Sequence, residues 1–413
     1  MVDQPVHRPV TPSDTLEGTP TRLKLLLWFL FFFQSAAVGV YLTFLNVYYK
    51  DAGLNGTQIG LISMVSGMAG MAGSFLWGYL SDRTGKPSIL IAVGAVGGLL
   101  LAQLIPVVKW MGLSDAPLWY TLIGCAGSLM SSACYTLVDS TTLAILDNRR
   151  KDYGRYRQGG SVGYIVGILA AGFLIDRASL VWMFPVYAAL MFVFSMTALR
   201  LPKRAARLQD SGWGQISLMV RKPAWLVLMG TVFLFWMAYY GSSMFIGVVL
   251  KSMGASAPLI SFAVVIGAVI EIPCMAISGQ LIQRFGAARL LWFALALQII
   301  RFFLISRLTN PAWAVAINLI NGPGFVFTWN SFLNLISRMA PPSLLATSQG
   351  LFAATTGLAG IVSSIVGGVL LDQIGASGLY LILSGLCLAA FLLFGVGNIL
   401  RPVLKEPAVD QAA

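Results

Sequence analysis

Gly78-Tyr-Leu-Ser-Asp-Arg-Thr-Gly85 and Gly279-Gln-Leu-Ile-Gln-Arg-Phe-Gly286 are variants of one pattern, glycine at both ends with leucine and arginine held in place, set 201 positions apart. Each copy follows a long apolar run. A second echo lies at nearly the same offset: Gly172-Phe-Leu-Ile-Asp176 and Gly368-Val-Leu-Leu-Asp372 are 196 positions apart. A chain of 413 residues that repeats itself at about half its length consists of two related halves.

Composition says what solvent those halves occupy. The chain is 57% hydrophobic and 10% charged, with mean hydropathy +0.81, whereas a soluble globular domain has about 25% charged residues. It reads as an integral membrane protein. Stretches close to the roughly 20 apolar residues that cross a bilayer core recur near 24–48, 58–80, 88–109, 117–146, 157–175, 180–200, 223–250, 258–282, 288–306, 311–337, 344–371 and 377–400. Runs such as Leu25 to Phe33 and Leu383 to Phe394 do not alternate in polarity, which argues against a β-barrel. The expectation is an all-α membrane protein of twelve transmembrane helices in two pseudo-symmetric six-helix bundles.

The boundaries follow. Residues 1–21 hold four prolines and no apolar run, so they read as a disordered tail without a cleavable signal peptide. Residues 22–200 form the first bundle, 201–222 a basic central loop, 223–401 the second bundle and 402–413 a second tail. Of the 27 lysines and arginines, 21 lie in the tails, the central loop and the connections on that same face. Five lie opposite (Lys50, Lys109, Arg177, Lys251 and Arg307), and Arg301 is inside a span. The positive-inside rule therefore makes both termini and the central loop cytoplasmic, and the net charge of +12 is a statement of topology, not a sign of nucleic-acid binding. Cys125, Cys134, Cys274 and Cys387 lie in apolar segments at no ligand spacing, and the one histidine, His7, is in the tail. No metal, cofactor or catalytic triad is indicated.

The tract from Gly78 to Lys86 resembles the signature loop of the major facilitator superfamily. In that family it latches the cytoplasmic gate, which assigns Gly78, Asp82, Arg83 and Gly85 to a gate here. Within the superfamily, three stretches are similar to the group of lactose permease, the nucleoside:proton symporters and the phenylpropionate-permease-like proteins. They are Gly39-Val-Tyr41-Leu-Thr-Phe44 with Asp51 and Thr57-Gln-Ile-Gly60; Asp139 with Tyr153-Gly-Arg155-Tyr-Arg157-Gln-Gly-Gly-Ser161-Val-Gly-Tyr164; and Glu271 with Arg284-Phe-Gly286 and Arg301.

An ionisable residue in a membrane span costs about 2.5–3.5 kcal/mol and is a functional candidate by default. Asp139 and Arg157 on spans 4 and 5, and Glu271 and Arg301 on spans 8 and 9, supply one acid and one guanidinium from each half, expected to pair and to face a central cavity. Arg157 presents a fork of donors for hydroxyls or a carboxylate, Asp139 an acceptor, and Tyr164 a stacking surface two turns beyond Arg157. The resemblance implies a sugar-binding acid, arginine and aromatic at these three positions, with tyrosine where lactose permease has tryptophan. Glu271 is the expected proton carrier, since apolar surroundings disfavour its charge, with Arg301 tuning it and Asp139 as the second candidate. Span 10 has Asn318 and Asn321 where lactose permease has titratable residues; these bind solute but carry no proton. Gln34, Tyr41 and Asn46 in span 1, Gln298 in span 9 and Asn330 and Asn334 in span 10 are candidates to line the cavity or to join helices. The aromatic runs Phe29 to Phe33 and Trp236, Tyr239, Tyr240 read as lipid-facing or interfacial.

The resemblance and the buried charges together imply a proton symporter. It would import a small polar organic solute by alternating access, a saccharide or nucleoside favoured over an aromatic acid, as a monomer in the plasma (inner) membrane. An efflux pump, an organic-acid or aromatic-acid carrier, and a uniporter are alternatives of the same fold; a membrane sensor without transport is the remote one. No nucleophile–base pair, nucleotide loop or metal spacing suggests an enzyme.

Overall fold

A computed structural model of the chain describes residues 21–113, 116–146, 153–202, 223–340 and 345–400. The tail before residue 21, residues 203–222 of the expected central loop and the tail from residue 401 lie outside the described residues. Among the described residues there are helices and no strand. The first half comprises α1 (Thr21–Asp51), α2 (Gly56–Thr84), α3 (Pro87–Trp110), α4 (Ala116–Leu146), α5 (Tyr153–Arg177) and α6 (Met183–Leu199). The second begins with α7 (Pro223–Ser252), α8 (Ala257–Phe285) and α9 (Ala287–Ser306). α10 runs in two pieces, Trp313–Asn318 and Asn321–Met339. The last helical run, Leu345–Leu400, is broken at Gly375, whose φ of 69° and ψ of −176° lie outside helical values; the break divides it into α11 (345–374) and α12 (376–400).

Ten of these runs are long and apolar enough to cross a membrane, the last containing both α11 and α12. α10 is the exception because its apolar stretch is interrupted and its second piece carries Asn321, Asn330 and Asn334.

Small residues set the packing, since lipid supplies no hydrophobic drive between helices and close backbone approach must replace it. Gly159, Gly163 and Gly167 recur every fourth residue on one face of α5, and a Cβ on any of them would strike the backbone of Trp28, Phe32 or Ala36 on α1. Gly94 and Gly98 of α3 close on Met130, Ser131 and Ala133 of α4 in the same way. In the second half, α7 packs on the α11–α12 hairpin and α10 lies between α8 and α9. Trp236, expected at lipid or interface, is 3% exposed and packs edge-on against Phe325 and Trp329, with Phe235 fully buried beside it. Phe235 and Trp236 are core, because α10 presents its own aromatics to them, whereas Tyr240 is 38% exposed.

The halves meet through α2 against α11, α5 against α8 and α1 against α7. All of these seams lie toward one face, that of the α1–α2 and α7–α8 turns. Gly56 and Gly60 of α2 abut Gly368 and Ser364 of α11, Gly172 of α5 abuts Ser261 of α8, and Gly247 of α7 abuts Thr43 and Val47 of α1. Toward the other face, which carries most of the basic residues, Gly78, Gly279, Gly350 and Gly357 have no neighbour within 4 Å of where a Cβ would stand. The structure is thus closed on one face and open on the basic face.

Gly163→Val is expected to drive its side chain into the backbone of α1 and to lose most of the monodisperse protein in detergent size-exclusion chromatography. Gly154→Ala, in the first turn of the same helix with open space around it, is expected to retain the parent's yield.

Candidate functional site

Asp139 and Arg157 meet. Tyr153 and Arg157 are four residues apart on one face of α5, and both reach across to α4: the Tyr153 hydroxyl donates to Asp139 Oδ1 at 2.7 Å and Arg157 Nη1 donates to the same oxygen at 3.1 Å. Nη1 is also 3.2 Å from the Tyr153 hydroxyl. The pair is half-exposed, with side-chain accessibilities of 45% for Asp139 and 59% for Arg157. It lies near the basic-face ends of its helices, not at mid-membrane as a central site would require. Arg157 is only about 6 Å of helical rise from the start of α5, and the cleft is open there. Tyr164, at the middle of α5, is half-buried and lies against Gly39 of α1. Tyr153 was not assigned a role from sequence, although its position one turn before Arg157 marks it as a neighbour.

The second-half charges do not pair as expected. Arg301 is 5% exposed, and its donors go to neutral amides: Nε to Asn318 Oδ1 at 2.9 Å and Nη1 to Gln298 Oε1 at 3.2 Å. Among the described residues the ion pairs within 4.0 Å are Lys109–Asp51 and Arg157–Asp139, so no carboxylate touches Arg301. Two amide oxygens, one from its own helix and one from the break in α10, occupy the guanidinium in place of Glu271. Glu271, half-buried on α8, lies within electrostatic reach of Arg301, of Tyr239 on α7 and of Tyr164 in the other half. Its carboxylate accepts no hydrogen bond among the described residues.

Around these charges is a set of incompletely satisfied polar groups. Gln298 is fully buried and its Nε2 has no partner; Asn321 Oδ1 and Asn334 Oδ1 are likewise buried without one. Buried polar atoms are normally paired, so the unpaired Nε2 of Gln298, whose Oε1 meets Arg301, is suited to a polar ligand. Tyr239 stacks on Phe325 with ring centroids 5.1 Å apart, and Phe325 stacks in turn on Trp329.

Other candidates hold helices together. Gln34 Nε2 donates to the Cys134 carbonyl at 3.0 Å, joining α1 to α4, and Asn46 Nδ2 donates to the Met244 carbonyl at 3.0 Å, joining the two halves on the closed face. Tyr41 stacks on Tyr187 of α6 at 4.5 Å, so its ring belongs to packing within the first half. Asn330 Nδ2 donates to Ser278 Oγ at 2.9 Å, joining α10 to α8. A cavity of about 230 Å³ lined by Phe44, Asp51, Lys251 and Ile260 lies on the closed face and holds none of the expected site residues.

The Gly78–Gly85 tract caps α2 on the basic face. Gly85 terminates the helix with φ 64°, its N–H donating to the Ser81 carbonyl at 2.8 Å, a left-handed cap that favours glycine. Arg83 is exposed and bonds only to Tyr79 of its own helix, and Gly78 faces open space. Asp82 is exposed. Among the described residues these positions touch nothing in the second half.

Two repeated helical bundles, closed against each other on one face and open on the other with charged and polar groups between them, define a membrane transporter of the major facilitator fold. The chain belongs to the MFS_1 like family, which matches residues 23–382. It is 30% identical over 365 residues to the maltose permease of Geobacillus stearothermophilus, covering 85% of this chain and 88% of the permease. It is 25% identical over 362 residues to a probable 3-phenylpropionic acid transporter of Escherichia coli (strain K12), covering 86% and 92%. Among solved structures, a mutant of the nucleoside transporter NupG superposes with a TM-score of 0.80 at 20% identity, covering 91% of this chain and 99% of that one. A bacterial homologue of the iron transporter ferroportin, in its inward-facing state, gives 0.75 at 14% identity over 92% and 99%. At those identities the structures show the fold.

Asn318→Leu removes the acceptor of Arg301 Nε and leaves a buried cationic donor unmet. The expected loss is about 1–3 kcal/mol, seen as a lowered thermal unfolding midpoint of the purified protein. Arg301→Lys in the parent is expected to be destabilised as well, since an ammonium does not reproduce the guanidinium fork that reaches both amides.

Proposed function

We propose that the chain imports a small polar organic solute, a saccharide or nucleoside, in symport with protons, and that it works as a monomer in the plasma (inner) membrane with its basic face and both termini cytoplasmic. The observation that carries this reading is the placing of Glu271. It belongs to the second half, has no carboxylate-binding partner in contact, and stands within electrostatic reach of Tyr164 in the first half and of Arg301 and Tyr239 in its own. An acid so placed changes surroundings whenever the halves rock, and a group whose surroundings alternate is able to take a proton on one side and release it on the other.

In this reading Asp139, Arg157 and Tyr153 receive hydroxyls at the open end of the cleft, Tyr164 offers its ring, and Asn318, Asn321 and Arg301 bind polar groups deeper in the second half. The Gly78, Asp82, Arg83 and Gly85 tract closes the basic face in the opposite state. A second reading, an aromatic-acid carrier, is favoured by one observation: Arg301 has no carboxylate in contact and lies near the Tyr239–Phe325–Trp329 stack, which suits a ring bearing a carboxylate.

Proteoliposomes with an inward proton gradient test both. Wild type is expected to accumulate a sugar or a nucleoside from a panel that also contains an aromatic acid, and Glu271→Gln is expected to equilibrate the same solute without accumulating it. Accumulation of the aromatic acid alone selects the second reading. Accumulation by Glu271→Gln equal to wild type, or by neither protein, rejects Glu271 as the proton carrier.

A further inference from the structure

The repeat Gly172-Phe-Leu-Ile-Asp176 and Gly368-Val-Leu-Leu-Asp372 places an aspartate at the closed-face end of α5 and of α11, but only one of the two bridges the halves. Asp372 grips the start of α2: its Oδ1 accepts the Gly56 N–H at 2.6 Å, and its Oδ2 accepts the Thr57 N–H and the Thr57 hydroxyl, each at 2.7 Å. Asp176 is exposed and makes no hydrogen bond among the described residues, and the neighbouring α8 is capped instead by its own Ser256.

The start of α2 explains why a carboxylate from the other half fits there. The first N–H groups of a helix have no partner within it. Asn55 and Gln58 form a reciprocal cap, Asn55 Oδ1 accepting the Gln58 N–H at 2.8 Å and Gln58 Oε1 accepting the Asn55 N–H at 3.0 Å. This leaves the N–H groups of Gly56 and Thr57, the two that Asp372 takes. An anion at a helix N-terminus is further favoured by the helix dipole. Backbone contact is as close as it can be at the same place, where Gly56 and Gly60 meet Gly368 and Ser364.

We propose that Asp372 is a positioning residue for alternating access: its carboxylate latches α2 to α11 and holds the closed face shut while the basic face is open. The open state of this face requires all three bonds to break and the Gly56 and Thr57 N–H groups to pass to water. The α5–α8 seam lacks an aspartate bridge and is joined, among the described residues, by one hydrogen bond, the Ser261 hydroxyl donating to the Ile168 carbonyl at 2.9 Å, against three from Asp372, so the two seams of the closed face are unequal. Because the latch acts on conformation, it stands whichever solute the transporter carries.

The test is a distance measurement across the closed face by double electron–electron resonance. Spin-label amino acids are placed by genetic encoding at Trp110, 87% exposed at the end of α3, and Trp313, 65% exposed at the start of α10, in the full-length protein without solute. Asp372→Ala is expected to raise the ratio of long-distance to short-distance molecules by about tenfold or more, as loss of hydrogen bonds to a charged acceptor implies. Thr57→Val, which removes only the hydroxyl bond, shifts it less, and Thr57→Ser restores the parent distribution. If Asp372→Ala does not fold, the Thr57 pair carries the test. Parental distances in folded Asp372→Ala, or Thr57→Ser behaving as Thr57→Val does, overturn the proposal.

Discussion

A guanidinium buried in an apolar interior must have its donors met, and Arg301 at 5% exposure is the constraint around which the second half is arranged. Gln298, one turn earlier on α9, meets one side of it, and Asn318 meets the other from the end of the first piece of α10. α10 is interrupted directly after Asn318, and Gly322 and Gly324 then allow the second piece to close on Ile270 of α8 and on Gln298. Two helices, α9 and α10, are thus joined around one cation by neutral oxygens, and α8 packs on α10 at Gly322. The consequence for chemistry is that Glu271 is not consumed in an ion pair: it keeps the long-range field of Arg301 without a hydrogen bond that would hold its charge in place.

The interior is reached from one side at a time because the two faces use different contacts. On the closed face, glycines on α2, α5 and α7 bring backbones together, Asn46 reaches across to α7, and Asp372 caps α2 from the other half. On the basic face the Gly78–Gly85 tract reaches no residue of the other half among those described, which is the expected condition of a gate in its open state. Closure by packed glycines and hydrogen-bonded helix ends is reversible, since each broken contact is replaced by water at the membrane surface.

The spans were legible because a bilayer demands about 20 apolar residues for each crossing, and every helix but α10 meets that demand. α10 was read as one span although Asn318-Leu-Ile-Asn321 interrupts it; its length was visible and its break was not. The Asp139–Arg157 contact was legible because the two residues lie 18 positions apart on consecutive helices. The Glu271–Arg301 contact was misjudged because equal depth on neighbouring helices does not decide between acceptors, and Gln298 and Asn318 lie closer to Arg301. Gln34 and Tyr41 show the same limit: polarity within a span marks a residue as unusual, but whether it faces a cleft or a neighbouring helix depends on rotation about the helix axis. Asp372 was visible only as half of a repeat, since its partners, two backbone N–H groups and the Thr57 hydroxyl, are more than 300 positions away.

Proton exchange at Glu271 can be measured apart from transport. Solute from the sugar, nucleoside and aromatic-acid panel is added to purified protein in lightly buffered solution, and protons taken up are counted against solute bound. Wild type is predicted to take up protons as solute binds, and Glu271→Gln to bind the same solute with no proton uptake. Equal uptake by both proteins, or binding to wild type without any, would contradict a proton carried by Glu271.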